Sequence, residues 1–142
     1  MTRKRTIKDH RADSRDRESG PRAPLYLVLD NIRSLTNVGS IFRAADGMGV
    51  RKIFLCGITP APPRPEIAKI SLGAEETTPF EILADPAKAV RLLQLAGVPV
   101  FCCERTDRSA SIYETAFPSP LALVLGHETS GIDDQVLHLS DG

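Results

Sequence analysis

Short continuous apolar runs alternate along the chain with segments in which apolar residues recur every three or four positions. Uninterrupted apolar runs are typical of strands in a parallel sheet, because helices bury both faces of such a sheet. The pattern therefore predicts an α/β fold, with a mostly parallel sheet and helices on both of its faces. The predicted strands are 25–29, 52–55, 79–83, 98–103 and 121–125.

Three helices are predicted between these strands from residues that start or stop a helix. Aspartate and asparagine side chains cap the first N–H groups of a helix, and proline suits its first turn. Glycine is favoured directly after the last turn. The predicted start and stop positions are Asp85 with Gly97, Asn37 with Gly47 and Gly49, and Pro65, opening a helix over 66–72, with Gly73.

The start of the chain differs in composition from the remainder. Residues 1–22 contain eight Lys and Arg against four Asp and Glu, although the whole chain has no net charge. Its few apolar residues cannot offset the entropy cost of ordering, so we predict a disordered basic arm over 1–22 and one domain over 23–142. A basic arm suits contacts with phosphates, and a purely solubilising tail is the alternative.

Overall composition excludes several classes of protein. Hydrophobic residues make up 42% and charged residues 25%, which argues against a disordered or fibrous chain. No apolar run approaches the roughly 20 residues that span a bilayer, and no apolar segment follows the basic start as in a secretory signal. With three cysteines, a disulfide framework is not expected. We therefore expect a cytoplasmic protein with reduced thiols and no membrane contact.

Several familiar catalytic motifs fail at particular positions. Gly126 and Gly131 have the spacing of a P-loop, but the lysine that must follow is missing. A zinc-protease motif starting at His127 fails because Gly131 stands at the position of the second histidine. Adjacent Cys102 and Cys103 face opposite sides of a strand, so core packing is their default role. We predict no metal site.

Polar residues follow the strands 25–29 and 121–125, where ligands bind in open α/β sheets. Taken singly, Asn37 fits an N-cap and Arg43 a surface cation. Together, residues 37–43 (NVGSIFR) and 123–128 (LVLGHE) resemble the first and second motifs of the SpoU or TrmH-type RNA 2'-O-ribose methyltransferases of the SPOUT superfamily. Residues 53–60 and 69–76 resemble the linking region, so the resemblance covers 25–140 and implies a fold of the trefoil-knot type.

The resemblance implies transfer of a methyl group from S-adenosylmethionine to a ribose 2'-hydroxyl of tRNA or rRNA. Arg43, Asn37 and Glu128 are the implied catalytic residues. A guanidinium with a pKa above about 12 is a poor base, so we expect Arg43 to clamp phosphate or ribose oxygens and stabilise the alkoxide. Water, phosphate or Glu128 would accept the proton, while Asn37 would hold Glu128 or the loop backbone. The implied cofactor-binding residues are Gly126, Gly131, Ile132, Cys103 and Glu104.

The chain departs from the family pattern after the second motif. Nothing in 137–142 resembles the Pro-containing third motif, which in the family completes the cofactor pocket, the dimer face and the knot. We therefore expect an incomplete knot and little activity in these 142 residues alone, with a homodimer once the C-terminal segment is present. A fragment of a longer product is the favoured explanation, and a noncatalytic RNA-binding or interaction domain is the alternative. The sequence names neither the RNA nor the nucleotide.

Overall fold

The first apolar run forms the central strand of a five-stranded sheet in the computed structural model, which describes residues 21–142. The strand order is β3-β2-β1-β5-β4, and every neighbouring pair is parallel. The predicted parallel sheet and its five strands are thus confirmed. The strands are β1 (Ala23–Asp30), β2 (Val50–Cys56), β3 (Phe80–Leu83), β4 (Val100–Cys103) and β5 (Leu121–Gly126).

The three predicted helices are also present, with small changes at their ends. Strand β4 begins later than predicted because the Val98 N–H donates to Leu93 O at 2.9 Å and so closes the preceding helix. Two short helices were not predicted, since a helix of four to six residues has too little periodicity to detect. The helices are α1 (Leu35–Met48), α2 (Pro65–Ser71), α3 (Ala74–Thr77), α4 (Pro86–Leu95) and α5 (Asp134–Leu139).

The predicted cap of α1 is wrong. Ser34 is the N-cap, and its Oγ accepts the Asn37 N–H at 3.1 Å. Helix α1 therefore begins before Asn37, which lies in its first turn with its side chain free for another partner. The end of α1 agrees with prediction, because Gly49 takes the left-handed conformation with φ 68°. The predicted cap of α4 is confirmed, since the Asp85 carboxylate accepts the Ala87 N–H at 2.9 Å.

Helices cover both faces of the sheet, and each face has its own core. Helices α4 and α5 pack on one face around Val90, Val124 and Val136. Helices α1, α2 and α3 pack on the other face around Phe42 and Ile67. The α/β arrangement with two helical layers is therefore confirmed.

The expected core packing holds for one cysteine of the adjacent pair, since Cys102 packs against the core and Cys103 does not. Only Cys56 is fully buried. Cys103 is exposed at the end of the edge strand β4, so the expectation of core packing is wrong for it. Cys102 is half-buried, and its thiol donates to Ser140 Oγ at 3.0 Å. The two side chains face opposite sides of β4, and Cys102 is the one that packs against the core beneath α4 and α5.

The strand order creates a crevice between β1 and β5. From β1 the chain moves outward through β2 and β3, then crosses to β4 on the other side and returns through β5. The helices that follow β1 and β5 leave toward opposite faces of the sheet. Ligands of open α/β sheets bind at such a switch point, outside the carboxyl ends of the strands.

The predicted arm lies almost entirely outside the described residues. Its last residue, Arg22, belongs to the folded part, because its guanidinium donates to Val50 O at 3.1 Å and also to Thr77 O. Between residues 21 and 142, no helix is long and apolar enough to cross a membrane.

Candidate active site

The two motif segments meet in the crevice through the Glu128 carboxylate. Its Oε1 accepts the Ser34 N–H at 3.1 Å and the Asn37 Nδ2–H at 3.2 Å. Its Oε2 accepts the Arg33 N–H at 3.3 Å. The loop after β5 is therefore attached to the first turn of α1, and the structure brings Asn37 and Glu128 into direct contact.

These hydrogen bonds lower the pKa of the Glu128 carboxyl. Desolvation acts to raise the pKa of this carboxyl, but donors from its own backbone, from Ser34 and Arg33, and from the Asn37 amide lower the pKa to about 2. Both oxygens are also occupied by N–H donors. A carboxylate with so low a pKa is a weak proton acceptor near neutral pH, so this geometry favours a positioning role over that of a base.

Arg43 lies on α1 but apart from the Asn37–Glu128 pair. Six residues of helix separate Arg43 from Asn37 by about 9 Å along the axis and about 120° around it. The Arg43 side chain is exposed and makes no hydrogen bond or ion pair with any residue between 21 and 142. The structure therefore leaves the guanidinium accessible to a ligand in solution.

The loop after β5 folds back over the end of its own strand. His127 and Gly131 pair through the Gly131 N–H, which donates to His127 O at 2.9 Å. A Cβ on Gly126 would lie 2.6 Å from the backbone of Gly131 and from Ile132 N. The lack of a side chain at Gly126 thus makes room for the returning loop.

Glu104, at the end of β4, holds the same loop from the side. Its carboxylate accepts the Ile132 N–H at 2.8 Å and the Arg105 N–H at 2.9 Å. These two hydrogen bonds lower the pKa of Glu104. Because the Ile132 N–H is engaged and the Ile132 side chain is buried in the core, mainly the carbonyl of Ile132 is left for a ligand.

A cavity of about 880 Å³ opens beside the end of β4. Two of the predicted cofactor-binding residues, Cys103 and Glu104, line it, and the loop between β4 and β5 forms much of its wall. The cavity is not lined by the other three, which are Gly126, Gly131 and Ile132. They are separated from it by Glu104, whose carboxylate accepts the Ile132 N–H. The predicted cofactor-binding residues therefore lie near one another, but only Cys103 and Glu104 line the cavity.

Two buried polar residues at this edge of the sheet were not assigned a role from sequence. Asp30 is 1% exposed and Thr59 is 6% exposed. Thr59 Oγ1 accepts the Ile32 N–H at 3.0 Å, and Asp30 accepts the Asp133 N–H at 2.9 Å. Asp30 could have been noticed from sequence, because it is a charged residue that directly follows the apolar run 25–29.

Between residues 21 and 142, no three His, Cys, Asp or Glu side chains gather as a metal site would require.

Comparison with known proteins identifies the family. The profile of the SpoU rRNA Methylase family matches residues 24–142. A 23S rRNA (guanosine-2'-O-)-methyltransferase RlmB from Vibrio parahaemolyticus is 33% identical over 109 residues, which are 77% of this chain and 44% of that protein. The protein of the same name from Ralstonia nicotianae is 32% identical over 109 residues, with 77% and 43% covered. The chain thus spans less than half the length of these curated relatives.

Solved structures agree with this comparison. A putative RNA methyltransferase of the TrmH family from Porphyromonas gingivalis has a TM-score of 0.74 at 28% identity, covering 84% of this chain and 48% of that one. An AdoMet-bound rRNA methyltransferase from Sinorhizobium meliloti has a TM-score of 0.74 at 27% identity, covering 86% and 47%. The TrmH/SpoU tRNA modifying enzyme of A. aeolicus, with a TM-score of 0.78 at 18% identity and 95% and 68% covered, shares the fold. Since the family profile covers the sheet and both motif segments, this chain belongs to the SpoU rRNA Methylase family.

Proposed function

We propose that this protein transfers the methyl group of S-adenosylmethionine to a ribose 2'-hydroxyl of rRNA or tRNA. The observation that carries the proposal is the meeting of the two family motifs in the crevice between β1 and β5, where Asn37 donates to Glu128 at 3.2 Å. The names of the relatives, which are 23S rRNA (guanosine-2'-O-)-methyltransferases, support the same reaction and make rRNA the first substrate to test.

The cavity beside β4 suits S-adenosylmethionine in size and lining. Its volume of about 880 Å³ lies within the range of roughly 300–1,000 Å³ that is common for small-molecule sites. Its walls combine the apolar side chains of Phe101 and Leu123 with the charged side chains of Glu104 and Arg108. A purine, a sugar and a charged amino-acid tail need such a mixed lining. When bound, the cofactor supplies a methyl group that its sulfonium centre has already activated.

The residues of the chain would then act on the RNA. The exposed Arg43 guanidinium can donate two parallel hydrogen bonds to phosphate or ribose oxygens and so stabilise negative charge on the attacking 2'-oxygen. Glu128 and Asn37 fix the first turn of α1, from which Arg43 projects further along. Proton acceptance falls to water or phosphate, because the low pKa of Glu128 makes it a weak base.

The reaction is tested with the chain extended at its C-terminus by a third motif of the family, because that extended chain is the one expected to be active. Incubation with S-adenosylmethionine labelled in its methyl group and bulk rRNA or tRNA should place the label in RNA, and nuclease digestion should recover it as a 2'-O-methylnucleoside. Once the labelled nucleotide is known, a short RNA that contains it serves as substrate to test whether its 2'-oxygen is the methyl acceptor. Its matched control carries a 2'-deoxynucleotide at that position and should receive no label.

Two results would contradict the proposal. The first is that the protein binds no S-adenosylmethionine in calorimetry and labels neither RNA. The second is that label appears on a base and not on a ribose. RNA binding without methyl transfer would support the alternative, a noncatalytic RNA-binding domain.

We also propose that the protein is cytoplasmic, that its macromolecular partner is RNA, that it makes no membrane contact, and that it forms a homodimer when the C-terminal segment is present. Ile112 and Tyr113 in the loop between β4 and β5 are 63% and 96% exposed, and exposed apolar side chains of this kind often belong to interfaces. Sedimentation equilibrium of the chain extended by the third motif should give twice the monomer mass. Cell fractionation should recover the protein with ribosomal particles or free RNA and not with membranes.

A further inference from the structure

A buried carboxylate lies under the loop that follows β5. Asp30 is the last residue of β1 and is 1% exposed, with Cys56 and Gly126 as its neighbours in the sheet register. No cationic side chain between residues 21 and 142 forms an ion pair with it. A buried charge is costly unless it is hydrogen-bonded, so the partners of Asp30 show why it is there.

Both carboxylate oxygens of Asp30 accept N–H groups from neighbouring loops. Oδ2 accepts the Asp133 N–H at 2.9 Å, and Oδ1 accepts the Asn31 Nδ2–H at 2.7 Å. Asn31 in turn accepts the Ile58 N–H on its Oδ1 at 3.0 Å. These contacts connect the loops that follow β5, β1 and β2, which are three adjacent strands of the sheet.

The loop after β5 is therefore held from both sides. Consecutive amides of this loop, those of Ile132 and Asp133, donate to carboxylates that come from the two strands on either side of β5. Glu104 follows β4 and binds the first amide at 2.8 Å, and Asp30 ends β1 and binds the second at 2.9 Å. These two hydrogen bonds thus fix the position of the loop relative to both neighbouring strands.

We propose that Asp30 is a positioning residue, which together with Glu104 fixes the loop after β5 beside the cofactor cavity and holds Glu128 against α1. The role rests on the proposed function, because this loop carries Glu128 and is hydrogen-bonded to Glu104, which lines the cavity. Positioning of this kind matters because small displacements of reacting groups cost large factors in rate.

Asparagine cannot replace Asp30 without loss, although it has nearly the same shape. Both oxygens of Asp30 face N–H donors, and an asparagine would turn its own NH₂ group toward one of them. One donor would then be left unsatisfied in a buried place. The isosteric substitution Asp30→Asn therefore tests the hydrogen bonds themselves, with little change in packing volume.

The experiment compares Asp30→Asn with Val28→Ala in the chain extended by the third motif. Val28 lies two residues earlier on β1 and is fully buried, so its truncation lowers stability while it removes neither of the carboxylate hydrogen bonds to the loop. Hydrogen exchange of the Ile132 and Asp133 amides should become at least about tenfold faster in Asp30→Asn than in Val28→Ala. At a temperature where both variants are folded, the Kd for S-adenosylmethionine should rise about tenfold and kcat should fall in Asp30→Asn only.

A second variant keeps the test decisive if Asp30→Asn does not fold. Glu104→Gln weakens the same loop from the side of β4, where the residue is more accessible, and should also speed exchange at Ile132. Normal exchange and normal cofactor affinity in these variants would overturn the positioning role while leaving the proposed function intact. A wild-type protein that neither binds S-adenosylmethionine nor methylates RNA would overturn the proposed function, and with it the role of Asp30 in that reaction.

Discussion

At the scale of single residues, the pKa values of the carboxylates in the site depend on the backbone N–H groups that donate hydrogen bonds to them. Glu128 and Glu104 both have lowered pKa values because N–H donors point at their oxygens. A carboxylate held in this way is a fixed acceptor, and it orients the loop that donates to it. Acidic residues in this site therefore organise the backbone, and the exposed Arg43 guanidinium is left without a partner among residues 21–142, as the proposed contact with RNA requires.

The first prediction concerns the pH dependence of stability at Glu128. The folded state lowers its pKa from 4.5 to about 2, so the stabilisation is fully present above pH 4.5 and is lost as the pH falls toward 2. Glu128→Gln should melt at a lower temperature than the wild type at pH 7. The gap between the two melting temperatures should narrow steadily between about pH 5 and pH 3.

The matched control for this prediction is Glu114→Gln. Glu114 is exposed in the loop between β4 and β5, and its carboxylate accepts no hydrogen bond from residues 21–142. Its substitution should leave the melting temperature nearly unchanged throughout. A gap for Glu128→Gln that stays constant down to pH 3 would contradict the assigned hydrogen bonds.

The second prediction concerns Arg43 in catalysis. In the chain extended by the third motif, Arg43→Ala should lower kcat by about 10²–10³, because it removes a donor that acts mainly on charge in the transition state. Calorimetry should show unchanged affinity for S-adenosylmethionine. Arg91→Ala, which removes an exposed arginine from α4 on the opposite face of the sheet, should keep full activity. Equal losses of cofactor affinity and turnover in Arg43→Ala would refute this role.

At the scale of elements, the position of α1 depends on its close contact with α2. A Cβ on Gly39 would lie 2.8 Å from Ile70 Cβ and 2.9 Å from Ile67 O. The two helices can approach this closely only where one of them lacks a side chain. Because α1 carries Asn37 and Arg43, this glycine also fixes the placement of both residues.

The third prediction compares two glycines of the same helix. Gly39→Ala should lower the free energy of unfolding by about 1–3 kcal/mol, as overpacking in a core commonly does. Gly47 has no atom within 4 Å of an added Cβ, so it is the matched control. Gly47→Ala should raise the free energy of unfolding by about 0.5–1 kcal/mol, because alanine favours the helix. Urea unfolding measures both, and equal effects would show that α1 and α2 do not pack closely.

At the scale of the whole molecule, the order of strands brings distant segments to one edge of the sheet. The α/β class and all five strands could be predicted from sequence, because apolar runs and their spacing are local properties. The cap of α1 could not, because Ser34 and Asn37 are both acceptable cap residues and only the path of the backbone selects one. The exposure of Cys103 likewise depends on which face of β4 the helices cover, since Cys102 on the opposite face packs against the core.

The fourth prediction concerns the basic arm, which stays a hypothesis from sequence. Deleting residues 1–20 should weaken RNA binding and flatten the dependence of log K on log salt by about 0.7 for each single-strand phosphate that the arm no longer neutralises. Substituting the seven basic residues of this segment by glutamine tests charge without changing length. An unchanged salt slope in both variants would show that the arm is only a solubilising tail.

The sequence by itself determined the class of fold, the positions of the strands and the two segments that carry the family motifs, because each of these rests on residues close together in the chain. Only the tertiary structure decided which side chains meet. Asn37 and Glu128 are 91 residues apart, and Asp30 and Asp133 are 103 apart. Such contacts depend on the order of the strands and on the return path of one loop, and a local pattern of apolar residues encodes neither.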